Sequence, residues 1–176
     1  MKRLLYIVIC VATVAAVAVS CNNVGCTDNQ NSVPLAGFYS MSTFEQVSLS
    51  GIDVGGVGAP ADSLLIKSEG FEAASQVYMP LRSTSDVTRY FISYRQPGLD
   101  SLGLADTITF RYTSIPYFAS EECGAMYHYR ITSLQYTRLL IDSIGLTDST
   151  ITNVERETIK IYFRTAQPDT IPDEQL

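Results

Sequence analysis

The chain has 176 residues, 46% of them hydrophobic and 17% charged, with a formal net charge of −6. That composition suits one folded domain and excludes wholesale disorder. Net acidity repels nucleic-acid phosphates and offers no electrostatic hold on anionic lipid, so neither kind of binding is expected.

Lys2 and Arg3 open the chain, and residues 4–19 then carry no charge. A short positive start followed by such an apolar run reads as the n- and h-regions of a secretory signal peptide. It is short of the ~20 residues a spanning helix needs; an uncleaved anchor helix ending near Cys21 is the alternative. The run ends in Ala18-Val19-Ser20-Cys21, which resembles a lipobox. Small side chains there let a signal peptidase reach the backbone, and the cysteine thiol carries the lipid. Leu more often stands in lipoboxes where this chain has Ala18. Residues 1–20 are therefore expected to be removed, Cys21 to be lipidated, and residues 21–32 to form a tether. Losing Lys2 and Arg3 leaves ten basic against eighteen acidic side chains, a net charge near −8. Acyl chains rather than charge must then do the anchoring.

The cysteines divide by fate. Cys10 leaves with the signal peptide and Cys21 takes the lipid. Cys26 and Cys123 remain as an even pair in an oxidising compartment, which points to one disulfide. It would close a loop of roughly 100 residues, worth about 4–5 kcal/mol in the chain-entropy model. A catalytic thiol or a metal ligand is the alternative, but no CxxC occurs and His128 is the only histidine.

Strand signals dominate afterwards. Residues 35–41 suit a first strand. Alternation then appears at 47–49, 77–81, 90–94, 108–112 and 127–131, a short late strand fits 150–154, and 159–164 closes the domain. These stretches are rich in Tyr, Ile, Val, Thr and Phe, which suit a pleated, half-buried surface. Gly55-Gly56 through Pro60, Pro97-Gly98 and Gly124 supply turns. Only residues 139–144 hint at a helical turn. The expectation is an all-β domain over 33–164: an antiparallel β-sandwich of about eight strands, immunoglobulin-like in general architecture, with a small barrel as competitor. Residues 165–176 read as a solvated C-terminal tail.

Asp followed by Ser or Thr and then an aliphatic residue or Thr recurs six times, beginning at Asp62, Asp100, Asp106, Asp142, Asp148 and Asp169. Composition alone would give roughly one. Asp and Ser/Thr side chains cap turns by binding nearby backbone N–H groups, and a strand then starts. The pattern also resembles the general O-glycosylation motif of Bacteroidetes-type secreted proteins. Its acceptors here would be Ser63, Ser101, Thr107, Ser143, Ser149 and Thr170.

No catalytic constellation is expected. His128 alternates with Tyr127 and Tyr129 in a strand, as a solvent-facing histidine would, and no local signature gives it a nucleophile. Glu121 and Glu122 are adjacent, so in an extended chain they point apart and share one substrate poorly. Asp28-Asn29-Gln30-Asn31 offers oxygens for calcium but lacks the glycine and distal glutamate of an EF-hand loop. Gly55-Gly56-Val57-Gly58 has neither the lysine nor the helix of a phosphate cradle and reads as a hairpin connection. No cofactor and no metal site are expected. The eleven tyrosines fit sandwich cores and strand faces, or else a stacking platform for sugars.

Several stretches together resemble a family of small lipoproteins from Bacteroidetes-type bacteria, known as a domain of unknown function. They are the lipobox, Cys26-Thr27, Gly51-Ile52-Asp53-Val54-Gly55, Asp62-Ser63-Leu64, Pro80-Leu81 and Thr88-Arg89-Tyr90. Phe118-Ala119-Ser120-Glu121-Glu122-Cys123-Gly124 and Ile159-Lys160-Ile161-Tyr162-Phe163 are the most distinctive. The resemblance covers nearly the whole mature chain and implies an address and a fold but no reaction. Surface export in that group follows acidic residues close behind the lipidated cysteine, whereas Asn22-Asn23-Val24-Gly25 stands here. A periplasm-facing, outer-membrane lipoprotein is therefore expected, acting as a non-enzymatic accessory module for an envelope protein. A glycan-binding lipoprotein using exposed tyrosines and a small hydrolase are the alternatives.

Overall fold

The computed structural model describes residues 31–60, 63–68, 73–97 and 99–165. Cys21, Cys26, Asp28, Thr170 and nearly all of residues 165–176 lie outside them.

Among the described residues, nine strands form two sheets. The first, β1 (Leu35–Ser40), lies between β3 (Gln76–Tyr78) and β9 (Glu157–Phe163), with β7 (Ile141–Leu146) on the far side of β9. The second runs in the order β2 (Ile52–Gly56), β4 (Val87–Tyr94), β5 (Ala105–Ser120), β6 (Gly124–Tyr136) and β8 (Thr150–Ile151). The expected sandwich holds in its layers, with nine strands rather than about eight. It is not wholly antiparallel: β1 runs parallel to β9, Phe38 opposite Ile161. First and last strands thus lie side by side, which sequence alternation alone does not reveal.

Period-two patterning explains the layers. Thr88, Tyr90, Ile92 and Tyr94 of β4 are buried, as are Ile108, Phe110 and Tyr112 of β5. They meet Ala36, Phe38, Ile159, Ile161 and Phe163 from the opposite sheet in one core. Each such large apolar side chain contributes about 1.5–3 kcal/mol through burial. Phe38 and Phe163 pack edge to face with ring centres 5.5 Å apart.

Four local expectations are corrected. Residues 47–49 form no strand: Val47 donates its N–H to Phe38 and Leu49 pairs with Ala74 across a single bridge. Gly55 and Gly56 are not the turn but the end of β2, and the turn follows at 57–60. A Cβ on Gly55 would sit 2.8 Å from the side chains of Leu64 and Phe91, so close approach requires the glycine there. The helical turn at 139–144 is instead the entry to β7, because Asp106 captures the backbone N–H groups of residues 139–141. His128 does not face solvent. It is half-buried, stacked on Tyr117 with ring centres 4.2 Å apart, and its Nε2 is buried without a partner.

Candidate functional site

β5 and β6 are much longer than their neighbours. β4 accompanies β5 only as far as Arg111, and β8 accompanies β6 only at Tyr129 and Arg130. From Thr113 to His128 the two strands have only each other as strand neighbours among the described residues. Burial falls away along much of this arm, although Met126 remains buried.

Register sorts its side chains into two faces. Pro116 pairs with Tyr127 and Phe118 with Ala125, which puts Phe118 and Tyr127 diagonally adjacent on one face. Tyr117 pairs with Met126 and stacks on His128, so it belongs to the other face. Phe118 is 64% exposed, Tyr127 43% and Tyr117 42%. No two exposed tyrosines share a face here; the aromatic partner of Tyr127 is Phe118. Large aromatics left in water at the end of a ribbon are what a protein interface requires at its centre.

The turn closing the arm holds Glu121, Glu122 and Cys123, followed by Gly124 at φ 72°, a left-handed conformation that favours glycine. Both glutamates are exposed. Cys123 is half-buried, and its N–H donates to Ser120 Oγ at 3.1 Å. Beside it a cavity of about 320 Å³ is lined by Ser32, Pro80, Cys123, Met126, Tyr127 and Tyr129, among others. Among the described residues, no three His, Cys, Asp or Glu side chains are grouped to hold a metal.

At the root of the arm, tyrosine hydroxyls fasten the segment leaving β3. Tyr112 OH accepts from Arg82 N–H at 2.9 Å and donates to its carbonyl at 3.0 Å, while the Thr88 hydroxyl lies 2.8 Å away. Tyr90 donates to the Pro80 carbonyl and Tyr129, at 3.5 Å, to that of Leu81. Burial pushes the Tyr90 phenol well above its usual range. The buried tyrosines are therefore structural, which their type alone did not disclose.

The six Asp-Ser/Thr positions take different places. Ser63 and Ser149 lie in exposed loops, with the Ser63 hydroxyl donating to the Pro60 carbonyl at 2.6 Å. Ser101 belongs to a 3-10 turn at Asp100–Leu102. Thr107 is exposed on β5, whereas Ser143 is half-buried in β7. Asp62 and Thr170 lie outside the described residues. The aspartates themselves organise backbone: Asp148 accepts from Thr150 N–H at 2.7 Å and pairs with Arg156. Asp142 pairs with Arg164 and Asp100 with Arg95.

Asp106 is the extreme case, fully buried. Its Oδ1 accepts from Thr137 Oγ1 at 2.6 Å and Leu139 N–H at 2.8 Å. Its Oδ2 accepts from Tyr94 OH at 2.6 Å, Leu140 N–H at 2.8 Å and Ile141 N–H at 3.0 Å. Burial pushes this carboxyl up, but the donors, Thr137 and Tyr94 foremost, outweigh it and hold it below the usual carboxylate range.

Residues 51–163 match the model of a family of unknown function (DUF6452), so well over half of the chain, from just before β2 to the end of β9, falls within it. No curated protein and no solved structure matches the chain.

Proposed function

We propose that this chain, which belongs to the DUF6452 family of unknown function, is a lipid-tethered, non-enzymatic accessory module of a bacterial envelope. It docks onto a protein partner through the end of its β5–β6 arm. The observation that carries this is the exposure of Phe118 and Tyr127 on one face of a ribbon that has outrun its sheet. The lipobox at Cys21 supplies the tether, and a Cys26–Cys123 disulfide would hold the arm's turn close to it. Outer-membrane attachment facing the periplasm, in a Bacteroidetes-type cell, fits the uncharged residues after Cys21.

The competing roles find less support. A sugar platform of two tyrosines needs both on one face, and Tyr117 and Tyr127 stand on opposite ones. A hydrolase would need His128 to reach substrate, but its Nε2 is buried, its ring stacked on Tyr117, with no hydrogen-bond partner among the described residues.

Mild-detergent capture of the tagged full-length protein from its native envelope tests the docking role. A stoichiometric partner is expected, and Phe118→Ala with Tyr127→Ala should reduce its recovery at least tenfold while leaving the melting temperature within a few degrees. Equal recovery with the double variant, or capture of no protein at all, would sink it. Intact-mass measurement of the same material tests the processing. The expected species begins at Cys21, carries acyl chains, and blocks alkylation of Cys26 and Cys123 until reduced. Any sugars should appear on Ser63 and Ser149 before Ser143, whose hydroxyl is half-buried in a strand.

A further inference from the structure

The outer face of the five-stranded sheet carries a different signal. Of the ten cations that remain after Cys21 becomes the first residue, Arg95, Arg156, Lys160 and Arg164 make ion pairs. Arg89, Arg111 and Arg130 make none among the described residues, and all three are exposed. They sit on three adjacent strands. Arg89 of β4 pairs with Thr109, Val87 with Arg111, and Thr113 with Arg130. Each arginine is thus one diagonal step from the next, about 7–8 Å across neighbouring strands. Arg111 and Arg130 share this outer side by simple alternation, because Tyr112 and Ile131 beside them point into the core, and the bulge at Arg111/Tyr112 brings Ser133 to the same side.

Thr109, Thr113, Ser133 and Gln135 lie on the same face by register, together with the half-buried Val87 and Phe91. At its β4 end the stripe opens into a cleft of about 380 Å³ whose lining includes Ser63, Arg82, Thr88 and Arg89. In a chain with net charge −6, three unpaired guanidinium groups in a row on one sheet face amount to a local inversion of field. Guanidinium forks suit carboxylate and sulfate geometry.

We propose that this sheet face binds an anionic polysaccharide, with Arg89, Arg111 and Arg130 holding successive acidic groups of the polymer. The neighbouring hydroxyls and amide hydrogen-bond the sugar hydroxyls between them. A protein partner is the poorer fit, because its interface would need an aromatic or aliphatic anchor at the centre. The large exposed apolar side chains on this side stand at its margins, Tyr117 on the arm and Val57 and Leu65 in the lining of the cleft. A lipid surface is poorer still, since the centre of this face carries no large exposed apolar side chain to insert into it. The site is independent of the protein-docking arm and does not require it.

The test uses the purified full-length chain in detergent and alginate, a polyuronate, with dextran as its neutral counterpart. Retention on alginate at low salt is expected, lost in 0.5 M salt, with no retention on dextran. Arg89→Glu, Arg111→Glu and Arg130→Glu together should weaken alginate binding at least tenfold, and Arg111→Glu alone several-fold. Both variants should keep the parent's circular dichroism, because the positions are exposed. A Lys160→Ala control, on β9 of the opposite sheet, should bind like the parent. Failure of the parent to bind alginate would overturn the proposal, as would equal binding by the triple variant. Arginine-dependent binding of poly-glutamate or phosphatidylglycerol vesicles that exceeds alginate would overturn it in favour of an acidic protein or a membrane.

Discussion

Asp106→Ala is expected to cost about 4 kcal/mol of unfolding free energy and to lower the melting temperature by roughly 10–15 °C. Five donors converge on this one carboxylate, three of them backbone N–H groups of residues 139–141. Alanine would strand those three at the entry to β7, each at a penalty of about 1–3 kcal/mol. Asp106→Asn keeps the shape but turns one acceptor into a donor, so it should fall between alanine and the parent. Acid should act through the same group. Its folded-state pKa lies below the ordinary value, so its stabilisation is fully present above the unfolded pKa of about 3.9 and is lost as pH falls through the folded one. Asp53, lowered by hydrogen bonds from Ser68 and Arg95 against its own burial, has the same sign. Urea titrations at pH 7, 4 and 3 should show the parent losing stability in acid and Asp106→Asn losing less. A loss below 1 kcal/mol for Asp106→Ala at pH 7 would mean the loop finds other acceptors.

Tyr112→Phe should cost about 2 kcal/mol and lower the melting temperature by about 4–8 °C. The ring stays, including its edge-to-face contact with Tyr129 at 5.4 Å, and only the hydroxyl goes. With it go the acceptor for Arg82 N–H and the donor to the Arg82 carbonyl. Tyr90→Phe removes a single bond, to the Pro80 carbonyl, and should cost about half as much. Hydrogen exchange gives the sharper readout. The Arg82 amide should exchange much faster in Tyr112→Phe while β5 amides keep their protection. Unchanged exchange at Arg82 would show that the hydroxyl does not fasten this segment.

What could be read from the sequence followed burial. The stretches 90–94, 108–112 and 159–164 alternate because one face of each meets the core, and all three are strands. Past Tyr112 that logic fails. Ser114, Ile115 and Pro116 belong to β5 only because β6 pairs with them, and no core face imprints a pattern there. Gly55 and Gly56 resemble a turn and hide β2, whereas Gly55 is there because Leu64 and Phe91 approach it closely. The entry to β7 looked helical because its N–H groups are capped by an aspartate distant in the sequence. The candidate surfaces were hidden for the same kind of reason. Tyr117, Phe118 and Tyr127 resemble any strand aromatics until the sheet beside them ends. Arg89, Arg111 and Arg130 become neighbours only through the register of three strands.

The parallel pairing of β1 with β9 bears on how the chain acquires its fold during synthesis. β7 joins its sheet only through β9, and β1 is flanked by β3 and β9. Until Glu157–Phe163 is delivered, that layer amounts to a three-residue pairing of β1 with β3, and half of the core has nothing to close against. Joining the two ends of the domain is also the costliest loop closure available to it, which slows folding. The four-stranded layer of a nascent chain therefore stays open until β9 emerges. A product truncated before Glu157 would expose the bare sides of β1 and β7 to any strand it met.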